Sequence, residues 1–373
     1  VSGRGVVKPA SLLLPLLCLV ASCRAPAADA AAEEGPLVYA LLPLRNLTPH
    51  QDMPGLLNGR VRGLLAARGA EFVREDQLEE ILQRRRIRYV DTVSAASARV
   101  IAEETGADYL LLGTLIAYDA AYPPRIAHSS RVLDAADVRC LQSALVALSG
   151  DDFTGLLGLG TVEDVDSLAW EVVARVGDMF DEEARPVPPR ADPLRLVHAL
   201  PRPGHTQMRY VEPGFELGPG SRVVVLPFEN RSAYPQVGLL YVDVLAHAWL
   251  QTLGIETVET AELLDALVRA RVRSLDEIDP DVLDDIVASV GARYAVYGTV
   301  EYFEPEVPVF DDLYPELEVW LRLVDSETGE FAAGAGLRHR GDDFHRGLGL
   351  GSERDPVRLG LTTARELLAT LSL

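Results

Sequence analysis

Tyr39-Ala-Leu-Leu-Pro-Leu-Arg-Asn46 and Val223-Val-Val-Leu-Pro-Phe-Glu-Asn230 are two versions of one segment, with Leu-Pro and Asn in the same places 184 residues apart. Two further pairs follow in the same order. Gly106-Ala-Asp-Tyr109 and Gly113-Thr114 recur as Gly291-Ala-Arg-Tyr294 and Gly298-Thr299. Gly150-Asp-Asp-Phe153 and Leu157-Gly-Leu-Gly160 recur as Gly341-Asp-Asp-Phe344 and Leu348-Gly-Leu-Gly351. The offset drifts only from 184 to 191, as small loop insertions would produce. Preserved order at a nearly fixed offset marks an internal duplication, and 373 residues suit about two domains.

The two copies share a pattern of elements. Each opens with a short apolar run ending in Leu-Pro, which reads as a buried strand. Asn46-Leu-Thr48 and Asn230-Arg-Ser232 turn the chain, because the Asn side chain bonds its own backbone two residues on. Helices are expected near 52–67 and 234–252. Short strands at Glu71–Val73 and Glu256–Val258 follow, then helices marked by Leu78 and Leu82 and by Leu263 and Leu267. A further helix ends at Gly106 and at Gly291, where glycine suits a left-handed cap.

Tyr109–Leu112 and Tyr294–Tyr297 then read as strands. Leu317, Val319, Leu321 and Leu323 alternate with Glu318, Trp320 and Arg322 as a half-buried strand, and Asp325–Gly329 turns it into a hairpin ending near His339. The first copy is less regular here, with His128 and Ser130 at positions that should face inward. Each copy closes with an amphipathic helix. Leu168, Val172, Val176 and Phe180 line one, Leu359, Leu367 and Leu371 the other, with Asp164 and Asp355 as N-caps. The fold class is therefore α/β (α+β): two tandem mixed sheets flanked by helices, at 36–181 and 221–373. Residues 182–220, rich in proline, read as a linker.

The N-terminus carries a different signal. Arg4 and Lys8 precede an apolar run from Ala10 to Val20, then Val20-Ala-Ser-Cys23. The run is too short to span a bilayer but suits a signal peptide, with small residues admitting a peptidase before a thiol that accepts lipid. Residues 1–22 are expected to be a lipoprotein signal peptide, Cys23 the lipidated residue, and 23–35 a flexible tether. No aspartate follows Cys23 directly, which favours the outer membrane by the common sorting pattern. Of the three cysteines only Cys140 then lacks an assigned role; its counterpart is Phe331, and it reads as a small buried hydrophobe.

The net charge of −21 opposes nucleic acid and anionic membrane surfaces as partners. The Gly155–Gly160 and Gly347–Gly351 runs lack the Gly-Lys-Ser/Thr of a phosphate loop and read as packing turns. Asp151-Asp152 and Asp342-Asp343, with His339 and His345 near the second pair, are weighed as cation ligands. Adjacent carboxylates alone are weak evidence, so they are read as turn caps and no metal or cofactor is expected. Arg84-Arg-Arg86 reads as a solvated helix end. No HExxH, CxxC or GxSxG occurs and the seven histidines are scattered, so no catalytic residue is assigned and no enzyme is expected.

Val223–Ser232, Gly291–Val300 and Leu321–Glu330 together resemble the CsgG/LpoB/TolB-N-terminal group of periplasmic α/β domains. The resemblance implies a mixed sheet flanked by helices and a role in binding or assembly. It departs from the pore-forming members, since 119–127 and 303–316 read as loops too short and proline-broken for membrane hairpins. The expected function is a non-enzymatic, outer-membrane-anchored lipoprotein that binds a periplasmic or outer-membrane protein in envelope biogenesis, secretion or cell-wall synthesis, with homo-oligomers possible. The alternatives are a domain pair with a ligand or catalytic site in the cleft between copies, and a ring-forming export subunit.

Overall fold

The computed structural model describes residues 36–87, 93–154, 160–189, 205–272, 279–310, 312–344 and 351–372. The chain is α/β, with two mixed sheets. In the first, Val38–Leu41 (β1) pairs in parallel with Glu71–Phe72 (β3) and Tyr109–Asp119 (β4), and Arg45–Asn46 (β2) extends it. Arg125–Asp134 (β5) and Cys140–Ser149 (β6) continue it antiparallel, in the order β3-β1-β4-β5-β6. The second repeats this as β10-β8-β11-β12-β13, built from Glu256–Thr257 (β10), Arg222–Val225 (β8), Tyr294–Val309 (β11), Asp312–Asp325 (β12) and Glu330–Arg340 (β13), with Glu229–Asn230 (β9) beside β11. Equivalent pairs hold equivalent registers: Arg131 faces Leu112 on one side and Ser143 on the other, as Arg322 faces Tyr297 and Gly334.

Helices sandwich each sheet. Met53–Ala67 (α1) and Val165–Gly177 (α4) cover one face of the first sheet, burying Leu57, Leu65, Leu168 and Val172 against Tyr39, Leu111 and Val132. Glu75–Arg85 (α2) and Ala95–Thr105 (α3) cover the other, with Leu78, Ile81 and Ile101 against Ala40, Leu110 and Leu112. In the second sheet Val237–Leu253 (α5) and Pro356–Ser372 (α8) match α1 and α4, while Thr260–Arg269 (α6) and Pro280–Ser289 (α7) match α2 and α3. Each fully buried aliphatic side chain is worth about 1.5–3 kcal/mol relative to exposure, so these four helix–sheet seams dominate the stability.

The recurring motifs are structural devices. Asn46 Oδ1 accepts bonds from Thr48 N and Oγ1 at 2.9 and 2.8 Å; Asn230 does the same for Ser232 at 3.0 and 2.7 Å. Asp164 accepts Ser167 N, and Asp355 accepts Val357 N and Arg358 N, so both cap their helices. Gly106 caps α3 at φ 72°; in the second copy Gly291, at φ 69°, lies one residue beyond the α7 cap. His128 and Ser130 do face inward, as buried groups joined at 2.6 Å between His128 Nε2 and Ser130 Oγ. Burial lowers the His128 imidazole to about 4, so it folds neutral.

Two expectations are corrected. Residues 303–316 are not a loop: β11 and β12 pair as far as Val309 and Asp312, and register shifts at 300–302 and 304–307 absorb the irregularity around Pro305. The linker reading also reaches too far. Thr206–Val211 (β7) lies inside it, free of proline, and pairs antiparallel with the edge of β13. Proline density marked the flanks of that strand, at 186–203 and 213–219, and hid it.

Candidate binding face

The antiparallel halves of both sheets extend past the helices that cover their parallel ends. On β4–β6 this leaves Ser129, Arg131, Ser143, Leu145 and Ala147 on one face, and α5 of the second copy packs there. Arg131 Nη1 meets Glu259, at the head of α6, 3.0 Å away, with both side chains largely withdrawn from solvent. Ser143 Oγ shares a 2.9 Å hydrogen bond with His247 Nδ1, and Gln251 Nε2 donates to Ser143 O at 2.7 Å. Ala127, Ala147 and Val357 form a small apolar cluster, and Arg358 pairs with Asp152 at 2.6 Å. Burial lowers His247 to about 3, aided by Arg365, so this seam uses a neutral imidazole.

The seam is tightly closed. Its interior cavity, bordered by Arg131, Cys140, His247 and Glu259, holds about 20 Å³, room for one water molecule and no more. Cys140 sits at this cavity, half-buried, and its Sγ donates weakly to Gln142 O at 3.4 Å. Burial pushes the thiol up to about 12, which makes it unreactive. A more open groove runs alongside, between β6 and Arg175, Arg358 and Arg365.

The second sheet has the same face, and no element among the described residues covers it. Arg322 stands where Arg131 stands, Gly334 and Gly336 where Ser143 and Leu145 stand, and Phe331 where Cys140 stands. Trp320 lies flat over Gly336 and Phe331 over Gly334: an added Cβ would meet the indole at 2.9 Å and the phenyl ring at 2.7 Å. Tyr210 from β7 stacks on Phe331 with centroids 5.0 Å apart, and Arg338 sits 5.6 Å above the Tyr302 ring. Phe331, Tyr210 and Tyr302 are each more than a third exposed. A depression of about 710 Å³ adjoins them, walled by Phe228, Tyr297, Trp320 and Arg322. Exposed aromatics interleaved with arginine are the residue types that anchor protein interfaces. The alternation of β12 had shown Trp320 and Arg322 on the polar side; nothing in the sequence showed that this side is covered in one copy and open in the other.

The residues singled out from sequence fare unequally. Cys23, the expected signal at 1–22 and the expected tether at 23–35 lie outside the described residues, as do His345 and most of both glycine runs. Asp152 and Asp343 act as turn caps, accepting Ser149 N and Arg340 N at 2.7 Å each. Arg84 and Arg85 are not simply solvated: both pair with Glu104 of α3 and hold its carboxyl below the usual range. Among the described residues no helix is long and apolar enough to cross a membrane.

No protein-family model matches the sequence, and no curated protein matches it. Solved structures do. PelC from Paraburkholderia phytofirmans, described as a dodecamer, is 16% identical over 44% of this chain and 98% of its own, at a TM-score of 0.30. The lipoprotein GNA1162 from Neisseria meningitidis is 16% identical over 39% of this chain and 96% of its own, at 0.28. The C-terminal domain of LpoB from Escherichia coli is 16% identical over 34% of this chain and 87% of its own, at 0.26.

Proposed function

We propose that this chain is a non-enzymatic envelope lipoprotein, anchored through Cys23, which holds a protein partner on the open face of its second sheet. The anchor reading rests on Val20-Ala-Ser-Cys23 behind a short apolar run. The observation that carries the binding reading is the pair of equivalent faces. One is sealed by α5 around Arg131 and Glu259; the other offers Tyr210, Phe331, Trp320 and Arg322 to solvent. By analogy with the covered face, the partner we propose is a helix with a small or apolar stripe, bringing a carboxylate to Arg322 as Glu259 comes to Arg131.

Two experiments test this. Fractionation of a bacterium carrying the chain should place it in the membrane, and Cys23→Ser should release it; a soluble, unacylated protein with Cys23 intact sinks the anchor. Affinity capture from the envelope, with the chain and its Arg322→Glu variant compared, tests the face. A partner retained equally by both contradicts the reading. Capture of only a second copy would mean that the face joins subunits.

A further inference from the structure

The strand hidden in the proline-rich stretch brings a histidine to a second histidine and an aspartate. His205, at the head of β7, is held to β13 because its carbonyl accepts Arg338 N at 3.2 Å. His339 is the next residue of β13, and Asp343 stands on the 3-10 turn that follows. One ring nitrogen of each histidine and one carboxylate oxygen of Asp343 lie within 4.8 Å of one another. The rings are nearly parallel, with centroids 5.0 Å apart.

We propose that His205, His339 and Asp343 form a binding site for a divalent transition metal of the zinc class, which clips β7 to β13. Two imidazoles and one carboxylate suit zinc, whereas magnesium and calcium demand more oxygens. Water would complete a tetrahedron at the solvent side, where His205 and Asp343 are partly exposed. Zinc–ligand bonds of about 2 Å set ligand atoms about 3.3 Å apart; His205 Nδ1 and Asp343 Oδ2 already lie 3.4 Å apart, and no pair in the cluster exceeds 4.8 Å.

His339 supplies the second, independent observation. It is 2% exposed, and neither ring nitrogen makes a hydrogen bond, although Glu366 Oε2 on α8 lies 2.8 Å from its Nε2 as an ion-pair contact. Buried imidazole nitrogens without a hydrogen bond are rare. A metal on one nitrogen and a carboxylate on the other is the arrangement that satisfies both. The duplication shows that turn capping alone does not require these groups. Asp152 caps its turn as Asp343 does, yet the first-copy counterparts of His339 and Glu366 are Leu148 and Arg175.

The test uses the whole chain, stripped with chelator and titrated with zinc chloride, with magnesium as the control. One equivalent of zinc should bind, cobalt should give the visible bands of a tetrahedral site, and hydrogen exchange in Thr206–Val211 should slow. His205→Ala, at a partly exposed position, should weaken zinc binding at least tenfold with an unchanged circular dichroism spectrum. Asp343→Asn, which keeps an oxygen for Arg340 N, should weaken it as well. Absence of zinc binding, or binding undiminished in both variants, overturns the proposal.

Discussion

The guanidinium of Arg131 on the first sheet lies 3.0 Å from the carboxylate of Glu259 at the head of α6 in the second copy, and that carboxylate is almost fully buried. The pair ties the two copies together through side chains far apart in sequence. Removing one partner of such a pair strands a charge. Arg131→Ala should therefore destabilise the chain by about 3 kcal/mol, and Arg131→Leu with Glu259→Leu should recover most of it. Urea unfolding of the three proteins measures this; a single-variant loss under 1 kcal/mol would show that the seam does not depend on the pair.

The recurring Gly-Asp-Asp-Phe turns explain their glycines. A Cβ on Gly341 would lie 1.8 Å from Glu353 O, and one on Gly150 would lie 2.1 Å from Val162 O, both backbone atoms that cannot swing away. Alanine at either site should cost about 3 kcal/mol. Gly59, inside α1 with nothing within 4 Å of its Cβ position, is the control. Gly59→Ala should stabilise by about 0.5–1 kcal/mol. Thermal or urea melts decide the order of the three.

Acid should loosen the fold through two buried imidazoles. His128 titrates near 4 and His247 near 3 when folded, against 6.5 in the unfolded chain. Both are depressed, so the unfolded chain takes up protons first as the pH falls below 6.5. Stability held above pH 6.5 then declines toward pH 4, at up to about 1.4 kcal/mol per pH unit per histidine. His247→Gln should flatten that slope in urea titrations across pH 4–7; an unchanged slope would mean that His247 is solvated.

The open face makes the opposite prediction to the seam. Phe331→Ala and Trp320→Ala remove side chains with solvent on one side, so stability should fall by about 1 kcal/mol or less for Phe331 and somewhat more for Trp320. Partner binding should drop at least tenfold for either, as expected of aromatic anchors. Parallel melting and capture experiments separate the two effects; a loss of binding matched by loss of folding would remove the face as a binding site.

Much of this fold was legible because local rules and duplication agree. The Leu-Pro strands, the Asn turns at 46 and 230, the caps at Asp164 and Asp355 and the hairpin turn at 325–329 each follow from residues within one turn of themselves. What stayed hidden depends on contacts distant in sequence. β7 is a strand because β13 offers it an edge, and proline flanks masked it. The extended β11–β12 hairpin tolerates Pro305 because a register shift between Glu304 and Val307 leaves it out of the pairing. The open face was invisible for the same reason: Arg131 and Arg322 occupy equivalent positions, and only packing separates a sealed arginine from an exposed one. The histidine cluster draws His205 from one end of the second copy's sheet and joins it to His339 and Asp343, more than 130 residues later.

The central claim is that this chain binds a protein through the second sheet's open face while anchored at Cys23. Its most direct measurement is site-specific photo-crosslinking in the native envelope, with the crosslinker placed in turn at 331 and at the equivalent position 140. The account predicts a discrete adduct with an envelope protein from 331, none from 140, and loss of the adduct with Arg322→Glu. No adduct from 331, or equal adducts from both positions, would contradict it.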